Sequence, residues 1–135
     1  NLKNLNMDKR FLIAGSFFGL TAVIIGAFGA HALQKVLDVA QLNTFETGVK
    51  YQMYHALLLV FLGLFSVKAS KSKTVLLWLL IIGVILFSWS IFGLATNSLT
   101  GFNFKSIAIL TPLGGTLLIT AWALIFYKAL TLKNQ

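Results

Sequence analysis

Residues 11–33 read FLIAGSFFGLTAVIIGAFGAHAL, twenty-three positions without a charged side chain and with one histidine, His31. A bilayer core takes roughly 20 apolar residues as a helix, because lipid offers no partner to a free backbone amide or carbonyl. Residues 74–96 repeat the pattern with no charge at all, and residues 107–131 repeat it with Lys128 as the one exception. A fourth apolar run, 51–67, extends back to 47 once the Lys50 stem lies along the helix and its ammonium reaches the surface. The expectation is an all-α membrane protein: a single domain over 1–135 forming a four-transmembrane-helix bundle, with helices near 11–33, 44–67, 74–96 and 107–131.

Composition agrees. Hydrophobic residues make up 58% of the 135, charged residues 10%, and the mean hydropathy is +0.87, values foreign to a soluble domain of this length. The net charge of +8 comes from basic residues scattered at helix ends, a pattern of topology determinants and anionic-lipid contacts and not of nucleic-acid binding. With no cysteine, disulfides and thiolate metal sites are excluded.

The basic residues also set an orientation. Lys3, Lys9, Arg10, Lys68, Lys71, Lys73, Lys128 and Lys133 fall on one side of a four-span chain, and Lys35, Lys50 and Lys105 on the other, with Asp38 and Glu46 beside them. The positive-inside rule then places both termini in the cytoplasm. Leaving out Asn1–Asn6 does not change the bias. The first span is longer than a signal-peptide core and is read as a retained helix.

Small residues dominate the expected contacts between helices. Gly15, Gly19, Gly26 and Gly29 recur at spacings of three and four, the device by which backbones approach in lipid. Gly48 and Gly63 serve helix 2, and Gly114 and Gly115 serve helix 4. Asn43 and Glu46 have capping-box spacing, so helix 2 is expected to start near Thr44. Glu46 and Lys50, one turn apart, are expected to pair, or Glu46 to stand as a carboxylate at the mouth of the bundle. Thr111-Pro112 reads as a helix start, leaving 107–111 as an irregular lead-in.

Steps of 100° per residue put Tyr51, Gln52 and His55 on the inward face of helix 2. With His31, Glu46, Ser90 and Thr111 they form a candidate polar cluster in the outer half of the bundle. Ionisable groups inside a membrane are candidates for function, and His is readily moved across neutral pH. A hydrogen-bonded neutral His is the simpler account. Two histidines on different helices with no inward carboxylate make a poor metal site, and no metal or other cofactor is expected. A phosphate loop, a His-Glu-x-x-His and a nucleophile elbow are all missing from the sequence, so no catalytic residue is assigned and an enzyme is not expected.

Three motifs now carry a resemblance: Gly26-Ala-Phe-Gly-Ala-His31-Ala-Leu33, Phe45-Glu-Thr-Gly-Val-Lys-Tyr-Gln-Met-Tyr-His55-Ala-Leu57, and Thr111-Pro-Leu-Gly-Gly115. Over about residues 10–130 the chain resembles the bacterial domain-of-unknown-function 423 family, to which the animal transmembrane protein 256 family is related. The resemblance implies a small four-helix, multi-pass protein of the bacterial inner (plasma) membrane and transfers no activity. Phe87-Ser-Trp-Ser-Ile-Phe92 departs from that family's Phe-Ser-Gly-Ser-Leu-Tyr, with Trp89 for its Gly and Phe92 for its Tyr. The functional expectation is a non-enzymatic protein that works by packing, as a small oligomer or an accessory subunit. Its partners would be membrane lipids and either itself, as a homo-oligomer, or a larger membrane complex. The alternative is a small-solute or proton-conducting transporter or channel that uses the outer polar cluster.

Overall fold

The computed structural model describes residues 6–65 and 70–133; Lys3, Ser66, Val67 and Lys68 lie outside them. The described chain is helical. Helix α1 spans Lys9–His31 and α2 spans Val39–Leu64. Helix α3, Lys71–Val84, passes through a π-turn at Ile85–Trp89 into α4, Ser90–Ala95, and α5 covers Leu110–Thr131. Short 3₁₀ turns at Leu33–Lys35, Asn97–Leu99 and Phe104–Ile107 make the connections.

Helix ends follow local side-chain chemistry. The Asp8 carboxylate accepts the Arg10 amide at 3.0 Å and opens α1, while Ser70 accepts the Lys73 amide at 3.2 Å and opens α3. Helix α2 begins at Val39, earlier than the expected Thr44. Its capping box is Asp38 with Gln41: Asp38 accepts the Gln41 amide at 2.8 Å, and Gln41 accepts the Asp38 amide at 2.9 Å. The extra turns are held by packing, since Phe45 is buried with Leu33, Leu37 and Ala95. Helix α5 begins at Leu110, so Pro112 falls in its first turn, where a missing amide leaves no bond unmade. The Thr111 hydroxyl is therefore free of capping.

Helices α1 and α2 lie against one another along their length, joined by glycines. A Cβ on Gly15 would sit 2.8 Å from the Val60 amide nitrogen and 2.9 Å from the Ala56 carbonyl oxygen. Gly63 meets Leu12, Gly29 meets Phe45, and Gly26 meets Val49 at 3.1 Å. Gly19 is looser, with Ala56 Cβ at 3.8 Å. On the other side α3 packs on α5 and α4 on α2, where Gly48 lies under Phe92. Phe11, Phe18, Leu59, Leu80, Val84 and Leu118 fill the space between the two sides. Outward, Ile13, Leu20, Phe61, Ile119 and Phe126 stand exposed, a surface that suits hydrocarbon better than water. Lys9–Lys35, Lys71–Ala95 and Phe104–Thr131 are each long and apolar enough to cross a membrane.

One end of the bundle is tied through Asp8. Its amide donates to the Gly63 carbonyl at 2.9 Å, and its carboxylate meets Arg10 at 3.1 Å and Lys73 at 3.2 Å. Arg10 also donates to Thr74 at 3.1 Å, and Lys128 donates to Ser72. The Arg10 guanidinium, with Lys73 behind it, lowers the Asp8 carboxyl to about 2, against the opposing effect of desolvation. One residue thus holds three elements together, its carboxylate the starts of α1 and α3 and its amide the last turn of α2.

Candidate functional site

Gln52 is a polar side chain with no exposed surface. Its Nε2 donates to the Phe18 carbonyl at 3.0 Å and to Thr21 Oγ1 at 2.7 Å, and its Oε1 accepts from Trp89 Nε1 at 3.1 Å. An indole can only donate, so Trp89 fixes which end of the amide faces which helix. Thr21 passes its own proton back to the Phe17 carbonyl at 2.9 Å. Helix α1, helix α2 and the π-turn therefore meet at one amide whose donors are both used.

His55 sits one turn further along α2, also buried. Trp122 Nε1 of α5 donates to its Nε2 at 3.1 Å. That bond leaves Nε2 without a proton, so Nδ1 carries it and donates to the Tyr51 carbonyl at 2.6 Å. The ring is a neutral bridge between α2 and α5. A third link joins α4 to α5: Ser90 and Thr111 share a hydrogen bond of 2.6 Å, and Ser90 also reaches the Phe87 carbonyl at 2.9 Å.

The π-turn places these links. A wide turn carries an additional residue and shifts the helical phase beyond it. Trp89 thereby faces Gln52 while Ser90 faces Thr111. Gly114 of α5 lies against the backbone of this turn: a Cβ there would stand 2.7 Å from the Leu86 carbonyl carbon and 2.8 Å from Phe87 Cα, with Phe87 N nearer still. Gly115, its neighbour, has Phe87 Cδ2 no closer than 3.5 Å. Within the same turn the Ser88 hydroxyl is fully buried and makes no hydrogen bond among the described residues.

The expected polar cluster is brought together only in part. Gln52, His55, Ser90 and Thr111 lie in or beside the bundle interior. Tyr51 does not point inward: it is 43% exposed, its ring tilted against Phe87 at 5.0 Å between centroids. The buried stripe of α2 runs through Gln52, His55, Ala56 and Leu59, which leaves Tyr51 at its edge. His31 and Glu46 are exposed and take no part. Glu46 and Lys50 form no ion pair, since among the described residues the ion pairs are those of Asp8. Three partners were missed by sequence reasoning: Thr21, Trp89 and Trp122. The available signal was chemical, because an indole N–H inside an apolar span needs an acceptor and Gln52 and His55 are the acceptors within reach. Two cavities adjoin these helices. One, of about 310 Å3, lies beside His55 between α2 and α5 and is lined by Tyr51, Phe87, Leu118 and Trp122. The other, of about 190 Å3, lies between α1 and α2 and includes Phe45, Glu46 and Lys50.

Comparison with known proteins places this arrangement in a family. The DUF423 family, described as a protein of unknown function, matches residues 25–115. The UPF0382 membrane protein YwdK of Bacillus subtilis is 37% identical over 123 residues, covering 90% of this chain and 96% of its own. The UPF0382 inner membrane protein YgdD of Escherichia coli is 34% identical over 136 aligned positions, 96% of each chain. The UPF0382 membrane protein SSP2132 of Staphylococcus saprophyticus is 37% identical over 117 residues, 87% of this chain and 93% of its own. No solved structure matches. With three segments suited to crossing a bilayer and relatives of this kind over most of its length, the chain is an integral membrane protein and belongs to the DUF423 family.

Proposed function

We propose that this protein works by packing in the inner membrane, as a small oligomer or an accessory subunit, and that it neither catalyses a reaction nor conducts a solute. The saturation of Gln52 and His55 supports this reading. Gln52 spends both amide protons on α1 and accepts from Trp89, and His55 uses both ring nitrogens within the protein. Neither side chain keeps a proton free to bind or relay; the Ser88 hydroxyl, buried in the π-turn, is the central polar group without a hydrogen bond among the described residues. A second reading, a proton or small-solute conduit, draws on the cavity of about 310 Å3 that reaches His55.

The experiment is a proton-flux measurement in proteoliposomes with an imposed pH gradient. The expected leak equals that of protein-free vesicles, and His55→Gln is expected to fold normally. A wild-type leak that a folded His55→Gln protein lacks would overturn packing and establish the conduit.

The same proposal includes a four-span topology with both termini cytoplasmic. Helix α2 has 26 residues, about 39 Å at 1.5 Å each, and lies against α1 from Phe45 to Gly63, so a crossing by α1 carries α2 with it. Lys9, Arg10, Lys71, Lys73, Lys128 and Lys133 share one end by the contacts at Asp8 and Ser72, which supports a cytoplasmic assignment. Single cysteines at Asp38, Asn103 and Ser70 test it in intact cells with an impermeant thiol reagent. Positions 38 and 103 are expected to react and position 70 not; the reverse pattern would invert the protein.

A further inference from the structure

The cavity of about 190 Å3 between α1 and α2 is lined by apolar residues with two opposite charges at its edge. Gly26, Gly29, Phe45 and Val49 line its apolar part, while Glu46 and Lys50 stand at its edge. The two charges are one turn apart on α2, a spacing at which they ordinarily pair. Here they do not pair, and among the described residues neither has another partner. A free carboxylate and a free ammonium, on residues about 6 Å apart along the helix axis and beside an apolar recess, complement one kind of molecule. It carries an ammonium and a phosphate joined by a short link, with hydrocarbon attached on the phosphate side.

We propose that this cavity binds one phosphatidylethanolamine molecule, its ammonium on Glu46, its phosphate on Lys50, and the start of its acyl chains among Gly26, Gly29 and Val49. The site shares no residue with the links at Gln52 and His55. It also needs no assignment of which side of the membrane it faces. In a bilayer every lipid tail is already in hydrocarbon, so apolar contact discriminates little between lipids and the choice rests on the headgroup. An anionic lipid without an amine would satisfy Lys50 and meet repulsion from Glu46.

Native mass spectrometry of the full chain, released from detergent micelles containing equal amounts of phosphatidylethanolamine and phosphatidylglycerol, reads this directly. One phosphatidylethanolamine is expected to remain bound, preferred about tenfold. Glu46→Gln is expected to bring the preference below about twofold, and Lys50→Gln to weaken retention of both lipids. Both residues are exposed, so unchanged melting in lipid-free detergent is expected to accompany these losses. Excess soluble glycerophosphoethanolamine, the headgroup without its chains, is expected not to displace the lipid. Equal retention of the two lipids by the wild type, a preference undiminished in Glu46→Gln, or displacement by the excess soluble headgroup would each overturn the proposal.

Discussion

Gly114→Ala is expected to lower the unfolding free energy in detergent by about 3 kcal/mol, the upper part of the usual range for overpacking, and Gly114→Leu to yield no folded protein. The added Cβ would fall 2.7 Å from the Leu86 carbonyl carbon and 2.8 Å from Phe87 Cα. Both are main-chain atoms of the π-turn, so no rotamer change clears them. Helix α5 would have to retreat, drawing Thr111 away from Ser90. The close contacts of Gly48 and Gly83 are side-chain atoms, at 2.6 Å and 2.7 Å, which can swing aside; the main-chain oxygen of Gly114 stands 3.4 Å from a Cβ on Gly83, at ordinary contact. Gly115→Ala is the internal control: its Cβ has ordinary contact with Phe87, and Ala is the better helix former by about 1 kcal/mol. Chemical or thermal unfolding of the two variants side by side decides the matter. Equal stability would mean that α5 does not approach the turn so closely.

The second large effect is at Gln52. Gln52→Leu keeps most of the volume and removes three hydrogen bonds, one of which is the sole partner of the Trp89 indole. A loss of about 2–3 kcal/mol is expected: an unsatisfied buried donor costs about 1–3, and bonds between membrane helices average about 0.6 each. Thr21 is little affected, because it still donates to Phe17. Trp89→Phe in the Gln52→Leu background is expected to recover part of the loss, since removing both partners leaves no orphan. A double-mutant cycle with a coupling of about 1 kcal/mol or more is the expected outcome. Strict additivity of the two substitutions would show that amide and indole do not bond.

What could be read from the chain follows from where the determining forces are local. The runs 11–33, 74–96 and 107–131 are apolar without interruption, and length alone marks their helices. The start of α2 was less legible because Asn43–Glu46 and Asp38–Gln41 both have the spacing of a capping box. Only the burial of Phe45 against Leu33 and Leu37, contacts across a turn, selects the earlier one. Tyr51 shows the limit of projection: it adjoins Gln52 in sequence, yet the buried stripe is narrow enough to leave it outside. For the candidate site, Gln52 and His55 were recognisable as polar groups in an apolar run. Their partners Thr21, Trp89 and Trp122 were not, because a partner 31 to 67 residues away in sequence leaves no local trace. The glycines were legible as a class, but the difference between Gly114, against main chain, and Gly115, with room to spare, belongs to the neighbouring helix.

The turn at Ile85–Trp89 divides one continuous apolar rod into two segments that answer to different neighbours. Below it, Leu76, Leu80 and Val84 look toward the shared interior and α5; above it, Ile91 and Ala95 look toward α2. Each residue in a regular helix advances the face by 100°, so the additional residue acts as a phase shifter between two registers. An insertion or deletion on either side would be felt only as far as the turn. Substitutions in 71–84 therefore answer mainly to α5 and those in 90–95 mainly to α2, with Ser90, bonded to Thr111 of α5, as the exception. A helix built this way presents two faces in different phases along one axis.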